Sequence, residues 1–285
     1  MQPLIEHRLR LAGYRTRALE LEGEGPPLLL LHGFADSADT WRLVLDGLAR
    51  RDRCALAVDL PGFGRADPAT ADGTLLEQLD RFVRAAVEHV AQEGGEAVVV
   101  GNSLGGCLAL RAAQDAGAPV AAAVPVAPAG FDHPVWFRAI ESQPLLRALL
   151  AAPLPVPGPV WRRVVGEVYR QLAFSGRGAV GADVVGLFTA HQADRAAVLR
   201  TLASGRRLLP ELRACFELER IDVPVLLVWG DRDRMVSHRG ARHVVAALPD
   251  TQVAVYEGVG HCPQLEAPAR LVEDVEAFVG AALRV

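Results

Sequence analysis

The chain has 285 residues, 51% of them hydrophobic and 22% charged, and a formal net charge of -4 at pH 7. That length accommodates one large α/β domain with an insertion, and the apolar share is enough to fill its core. The slight acidity and the mixing of charge signs argue against nucleic acid or an anionic membrane surface as partner. All 30 side chains of the Lys/Arg type are arginine. Chemistry that needs a lysine amine, such as a Schiff base, a pyridoxal phosphate anchor, a P-loop lysine or a Ser-Lys dyad, is thereby excluded.

In chain order, the first eleven residues place Glu6, Arg8 and Arg10 among apolar neighbours and lack the unbroken apolar stretch of a signal peptide. No run approaches the roughly 18 apolar residues of a membrane-spanning helix. Apolar runs at 27–31, 54–58, 97–100, 120–126, 224–229 and 252–256 predict buried, mostly parallel strands. Helical patterns at 40–49, 75–92, 104–116, 238–247 and 268–283 fall between or after them, the alternation of a wound α/β sheet. From 131 to 215 the rhythm changes to helical periodicity without a clear strand, around the Pro-rich run at 152–159. Residues 1–130 and 216–285 are therefore expected to form the core and 131–215 a helical insertion between two of its strands. Cys54, Cys107, Cys215 and Cys262 are scattered without a C-x-x-C pair, as expected of reduced thiols in a cytoplasmic protein.

The strongest chemical signal is Gly101-Asn102-Ser103-Leu104-Gly105-Gly106, directly after Val98-Val99-Val100 and directly before a helical pattern. A strand, a G-x-S-x-G turn and a helix in succession hold a serine hydroxyl at the tip of a sharp turn, with the helix N-terminus behind it. The plainer alternative is a serine that merely caps the helix. A hydroxyl is a weak nucleophile, so Ser103 needs a base and an acid behind that base. Asp231 and Asp233 follow the strand that ends near Trp229, and His261 follows the next strand. The order Ser, acid, His places all three at the carboxyl edge of the sheet.

With these residues the chain resembles the α/β-hydrolase superfamily. Leu30-Leu31-His32-Gly33-Phe34 is similar to its oxyanion loop, Asp59-Leu60-Pro61-Gly62-Phe63-Gly64 to the loop after its next strand, Trp229-Gly230-Asp231-Arg232-Asp233 to its W-G-x-x-D segment and Gly260-His261 to its terminal G-H. The resemblance implies an α/β-hydrolase fold with a mostly parallel central sheet, flanking helices and a helical cap. It implies Ser103, Asp233 and His261 as a catalytic triad, with the backbone N–H groups of Phe34 and Leu104 as the oxyanion hole. His32 competes with His261 for the role of base and is read as a structural histidine bonded to backbone. Asp231 competes with Asp233 and is expected to pair with a neighbouring arginine or solvent, while Asp59 is expected to fix its own Pro-Gly loop.

Ser103 stands where dehalogenases and epoxide hydrolases of the superfamily have Asp. Gly33-Phe34-Ala35 and Cys262 depart from the G-P-G loop and the post-histidine Trp of the carbon-carbon bond hydrolases, and plant-type hydroxynitrile lyases need a lysine. A carboxylic ester hydrolase acting on a small-molecule acyl substrate is the expected function. Cleavage of a carbon-carbon, lactone or thioester bond, acyl transfer, a receptor and a cyclase stand as alternatives. Neither a metal nor another cofactor is expected, since no ligand spacing or dinucleotide fingerprint is present. Trp136, Phe137, Trp161 and Val236 are candidate substrate contacts, and the cap's other apolar members include Leu145, Leu146, Phe174 and Phe188.

Overall fold

The structure, a computed structural model, describes residues 3–92, 95–131, 157–176, 178–191 and 195–283. Its strands are β1 (Ile5–Leu11), β2 (Tyr14–Leu21), β3 (Glu24–Leu31), β4 (Arg53–Val58), β5 (Ala97–Asn102), β6 (Val120–Val126), β7 (Leu226–Gly230) and β8 (Gln252–Tyr256). They form one sheet in the order β1-β2-β4-β3-β5-β6-β7-β8. Pairing is antiparallel from β1 to β4 through β2 and parallel from β4 onward. The helices described are α1 (Arg42–Ala49), α2 (Leu75–Ala91), α3 (Leu104–Gln114), α4 (Gly158–Ala173), α5 (Ala182–Ala190), α6 (Arg195–Glu211), α7 (Ala241–Ala247), α8 (Pro263–Glu266) and α9 (Pro268–Leu283).

The central strands carry apolar side chains on both faces, and each face has its own helical layer. Leu29, Leu31 and Val99 pack with the apolar side of α2 and α3, while Leu28, Leu30, Val98 and Val100 pack with that of α1 and α9. The expected parallel strands and their helices are present, with small differences at the ends. The pattern at 40–49 divides into a 3-10 turn, Ala38–Trp41, and α1, and that at 238–247 divides into His238–Gly240 and α7. α3 stops at Gln114, short of 116, where Asp115 turns extended and its carboxylate accepts the N–H of Gly117 at 3.0 Å.

The N-terminal hairpin β1–β2 is absent from the expected strands. Its signal was alternation: Glu6, Arg8 and Arg10 lie on the exposed side of β1 and Leu9 and Leu11 on the inner side. Ala12 and Gly13, with φ of 46° and 87°, form the two-residue turn that a right-twisted hairpin favours. The four cysteines are free thiols. Cys107 and Cys215, 108 residues apart in sequence, nevertheless meet with sulfurs 3.8 Å apart. Among the described residues no helix is long and apolar enough to cross a membrane.

In the chain, α4, α5 and α6 stand between β6 and β7, and α6 is bolted to the sheet layer by polar contacts. The Glu211 carboxylate accepts the first two amides of α2, Leu75 N at 3.1 Å and Leu76 N at 2.7 Å. Those amides have no partner within α2, and the negative charge sits at the positive end of its dipole. Arg207, one turn earlier, donates to the carbonyls of Thr70 and Gly73 at 2.6 Å each. Glu211→Ala is expected to lower stability by about 1 kcal/mol, with Glu211→Gln intermediate, in urea unfolding followed by circular dichroism.

Candidate active site

β5 ends in a turn so tight that two of its positions can hold no side chain. A Cβ at Gly101 would lie 2.1 Å from the carbonyl oxygen of Gly105, and one at Gly105 would lie 2.1 Å from that of Leu31. Ser103, between them, has φ 56° and ψ -110°, a conformation costing on the order of 1–3 kcal/mol. Neighbouring backbone holds it there. Its N–H donates to Val126 O at 2.9 Å, and its carbonyl accepts Cys107 N at 2.9 Å and Ala129 N at 3.0 Å. The Ser103 side chain makes no cap bond to α3, so the helix-cap reading of this serine is set aside.

His261 follows β8 and is 3% exposed. Its Nδ1 lies 2.7 Å from Oδ2 of Asp233, whose side chain is fully buried. A buried carboxylate needs all its lone pairs answered. Oδ1 of Asp233 accepts the amides of Met235 and Val236 at 2.8 Å each, and Oδ2 also accepts Trp229 Nε1 at 3.2 Å. Asp231 lies exposed on the same loop and accepts Gly258 N at 2.7 Å. Asp231 is thus open to solvent, as one of the expected alternatives had it, and its hydrogen-bond partner is Gly258 rather than Arg232 or Arg234, which ties the β7 loop to the β8 loop.

His32 is engaged at both ring nitrogens. Nε2 accepts Leu60 N at 2.8 Å, so Nδ1 carries the proton and donates to Gly33 O at 2.7 Å. Burial lowers its pKa to about 4, which keeps the ring neutral and structural. Asp59 accepts Arg65 N at 2.7 Å within its own loop and Ala38 N at 2.7 Å beyond the oxyanion loop. Arg17 of β2, 3% exposed, bridges Asp59 and Asp39 and fastens the two loops together.

Ser103, His261, Phe34, Leu104 and Val236 all line one cavity. Gly33, Asp36, Asn102, Met235 and Cys262 border it from the sheet side, and Tyr169 of α4, Gly205, Leu208 and Leu209 of α6 and Leu212 just after α6 border it from the intervening segment. Asn102 crosses from the serine turn to the histidine loop, donating to His261 O at 2.9 Å. Gln264 donates in turn to Asn102 Oδ1 at 3.1 Å and to Thr40 Oγ1 at 3.2 Å. Ala173 O, at the end of α4, accepts His261 N at 2.7 Å.

Of the other candidate substrate contacts, Trp136 and Phe137 lie outside the described residues, as do Leu145 and Leu146. Trp161 falls within α4, and its side chain is outside the description. Phe174 and Phe188 pack on Tyr169, with ring centroids 5.2 Å and 3.6 Å away, and are not among the cavity-lining residues. Tyr169, the leucines at 208, 209 and 212 and Asp36 went unnoticed in the sequence, and Cys262 was noted only as a thiol and as a departure from the post-histidine Trp, not as a cavity residue. The leucines at 208, 209 and 212 did carry a signal, the spacing of one helical face. The others carried none beyond their nearness to a motif.

Asp36 is 7% exposed, and burial raises its pKa from 3.8 to about 7. The folded protein therefore binds a proton that the unfolded chain has lost between about pH 4 and 7, and stability falls as pH rises through that window. Asp36→Asn, which keeps an acceptor for Ser37 N, is expected to match the wild type in Tm near pH 4. It should exceed the wild type by a margin that grows to pH 7 and stays level above it, as calorimetry at each pH would read.

A profile of the alpha/beta hydrolase family matches residues 28–274. An uncharacterised protein of Mycobacterium tuberculosis is 31% identical over 97% of this chain and 81% of its own length. A pimeloyl-[acyl-carrier protein] methyl ester esterase of Aeromonas hydrophila is 28% identical over 92% of this chain and 99% of its own. Among solved structures, a 2-hydroxy-6-oxo-6-phenylhexa-2,4-dienoate hydrolase of a Rhodococcus strain superposes with a TM-score of 0.78 at 20% identity, over 100% of both chains.

Proposed function

Because this chain belongs to the alpha/beta hydrolase family, we propose that it is a serine hydrolase that cleaves a carboxylic ester through an acyl-enzyme on Ser103. The observation that carries the proposal is the buried 2.7 Å contact between His261 and Asp233 on the cavity that Ser103 lines. Ser103 attacks the ester carbonyl as His261 takes the hydroxyl proton. The imidazolium so formed is stabilised by Asp233, which also selects the tautomer that leaves Nε2 free to accept. His261 returns the proton to the departing alcohol, then draws a proton from the water that cleaves the acyl-enzyme. The amides of Phe34 and Leu104 serve as oxyanion donors, each worth on the order of 3 kcal/mol to the transition state. Leu104 suits the role because it is the first residue of α3, where amides lack helical partners.

Residues 131–215 act as a cap over this site in the proposed reading, a role supported by Tyr169 and the α6 leucines in the cavity wall. Their apolar surface suits a medium-sized acyl substrate. The methyl ester esterase relative supports an ester as the bond cleaved. The likeness to the dienoate hydrolase is a likeness of fold, and the loop Gly33-Phe34-Ala35 continues to argue against carbon-carbon cleavage.

An alkyl fluorophosphonate should label Ser103, as mass spectrometry of the modified peptide would show; an adduct on Cys107 or Cys262 alone would overturn the assignment. Asp233→Asn should lower turnover of p-nitrophenyl esters by roughly three to four orders of magnitude, while Asp231→Asn should cost at most about tenfold. The reverse ranking in steady-state kinetics would move the acid to Asp231.

A further inference from the structure

Asp36 lies two residues beyond Phe34 on the turn that forms the oxyanion loop, where Ala35 adopts φ 63°. That turn sends a carboxyl group into the wall of the cavity that also holds Ser103. Its Oδ1 accepts Ser37 N at 2.9 Å, and the Thr40 hydroxyl supports it further. Two acids stand behind it, Asp39 and Asp59, both already matched by Arg17, with Arg42 also on Asp39. On other elements bordering the same cavity are Cys262 and Tyr169, with sulfur and hydroxyl 3.7 Å apart, and His261 paired to Asp233. Glu266, beyond Cys262, is occupied by Gly260 N and Ser175 N. No arginine is among the described residues that line the cavity. The proton-transfer scheme above uses neither Asp36 nor Tyr169.

We propose that Asp36 determines the charge selectivity of this cavity, admitting neutral and cationic acyl groups and turning away those that end in a carboxylate. The inference rests on the esterase reading for its substrate and extends it to a substrate class. A second carboxylate held about 6 Å from Asp36 meets a repulsion that water screens poorly inside the cavity, which amounts to a discrimination of roughly tenfold to a hundredfold. Because burial raises the pKa of Asp36 to about 7, the repulsion is weak below neutrality and grows above it.

The test uses three p-nitrophenyl esters: pentanoate, the glutarate monoester, and 4-(trimethylammonio)butanoate. The kcat/KM ratio of glutarate to pentanoate cancels effects common to both substrates, including the titration of His261 and any general loss of activity in a variant. In the wild type this ratio should fall by about tenfold or more between pH 6 and 8.5, and the ratio of the cationic ester to pentanoate should rise. Asp36→Asn and Asp36→Ser should both flatten these profiles. A wild-type ratio that does not change with pH, or one that persists unchanged in both variants, overturns the inference while leaving the esterase standing. Binding of pentanamide and glutaramate by calorimetry reads the same selectivity without turnover. Weaker glutaramate binding at pH 8.5 that is relieved in Asp36→Asn supports the inference even if no ester is hydrolysed, and equal binding of the two overturns it.

Discussion

The site is built on the close approach of backbone to backbone where β5 gives way to α3. Gly105 lies so near the carbonyl of Leu31 that the helix start is pressed against the neighbouring strand, and the chain at Ser103 has one conformation left. A strained residue persists only where its surroundings over-determine it. Here they do so through the hydrogen bond that Ser103 N–H donates to Val126 and those its carbonyl accepts from Cys107 and Ala129, so β6 and its following loop share in holding the serine. Because the strain is met by backbone groups alone, the serine hydroxyl is left without structural duty.

Once that turn is fixed, the loops around it are fixed by buried polar contacts whose loss would cost more than their presence gains. Asn102 binds the histidine loop through its carbonyl, Gln264 braces Asn102, and the Asp233 carboxylate is surrounded by the indole of Trp229 and two amides. The Asn102 and Gln264 contacts join segments that follow different strands, β5 and β8, while the Asp233 contacts fix the loop after β7 from within. These contacts hold the His261 loop and its Asp233 partner in place, as the proposed proton transfer requires. Arg17 braces the loop proposed to hold the oxyanion from the far side, through its carboxylate partners Asp39 and Asp59.

The helices between β6 and β7 meet the sheet layers at polar anchors and through apolar contacts, with Leu208 joining the core on the α2 and α3 face and Phe174 packed with Cys262 and Leu265. Glu211 and Arg207 hold α6 against the start of α2, and Ala173 ties α4 to His261. The leucines of α6 therefore lie at a set distance from the serine. Among the described residues that line the cavity Asp36 carries the one carboxyl, and between low-dielectric walls its charge is felt over longer distances than on the surface.

The sequence by itself determined the wound α/β order, the serine turn, and the order serine, acid, histidine. It could do so because each of these is a local pattern: unbroken apolar runs alternating with period-3.6 spacing, glycines where a side chain cannot fit, and polar residues at strand ends. It was silent where contacts join distant segments. The hairpin of β1 and β2 was passed over because β1 alternates exposed and inward residues and β2 buries the polar Thr16 and Arg17 among its apolar ones, so neither reads as an apolar run. Asp231 and Asp233 were separated by spacing and by resemblance, whereas only the folded loop showed one carboxylate on the histidine and the other on Gly258. The meeting of Cys107 with Cys215, the burial of Arg17 between two acids and the convergence of Asp36, Tyr169 and the α6 leucines on one cavity belong to tertiary structure alone. Spacing along a chain fixes which way a side chain points within its own element, but which groups it meets is decided only when elements far apart in sequence pack and exclude water between them.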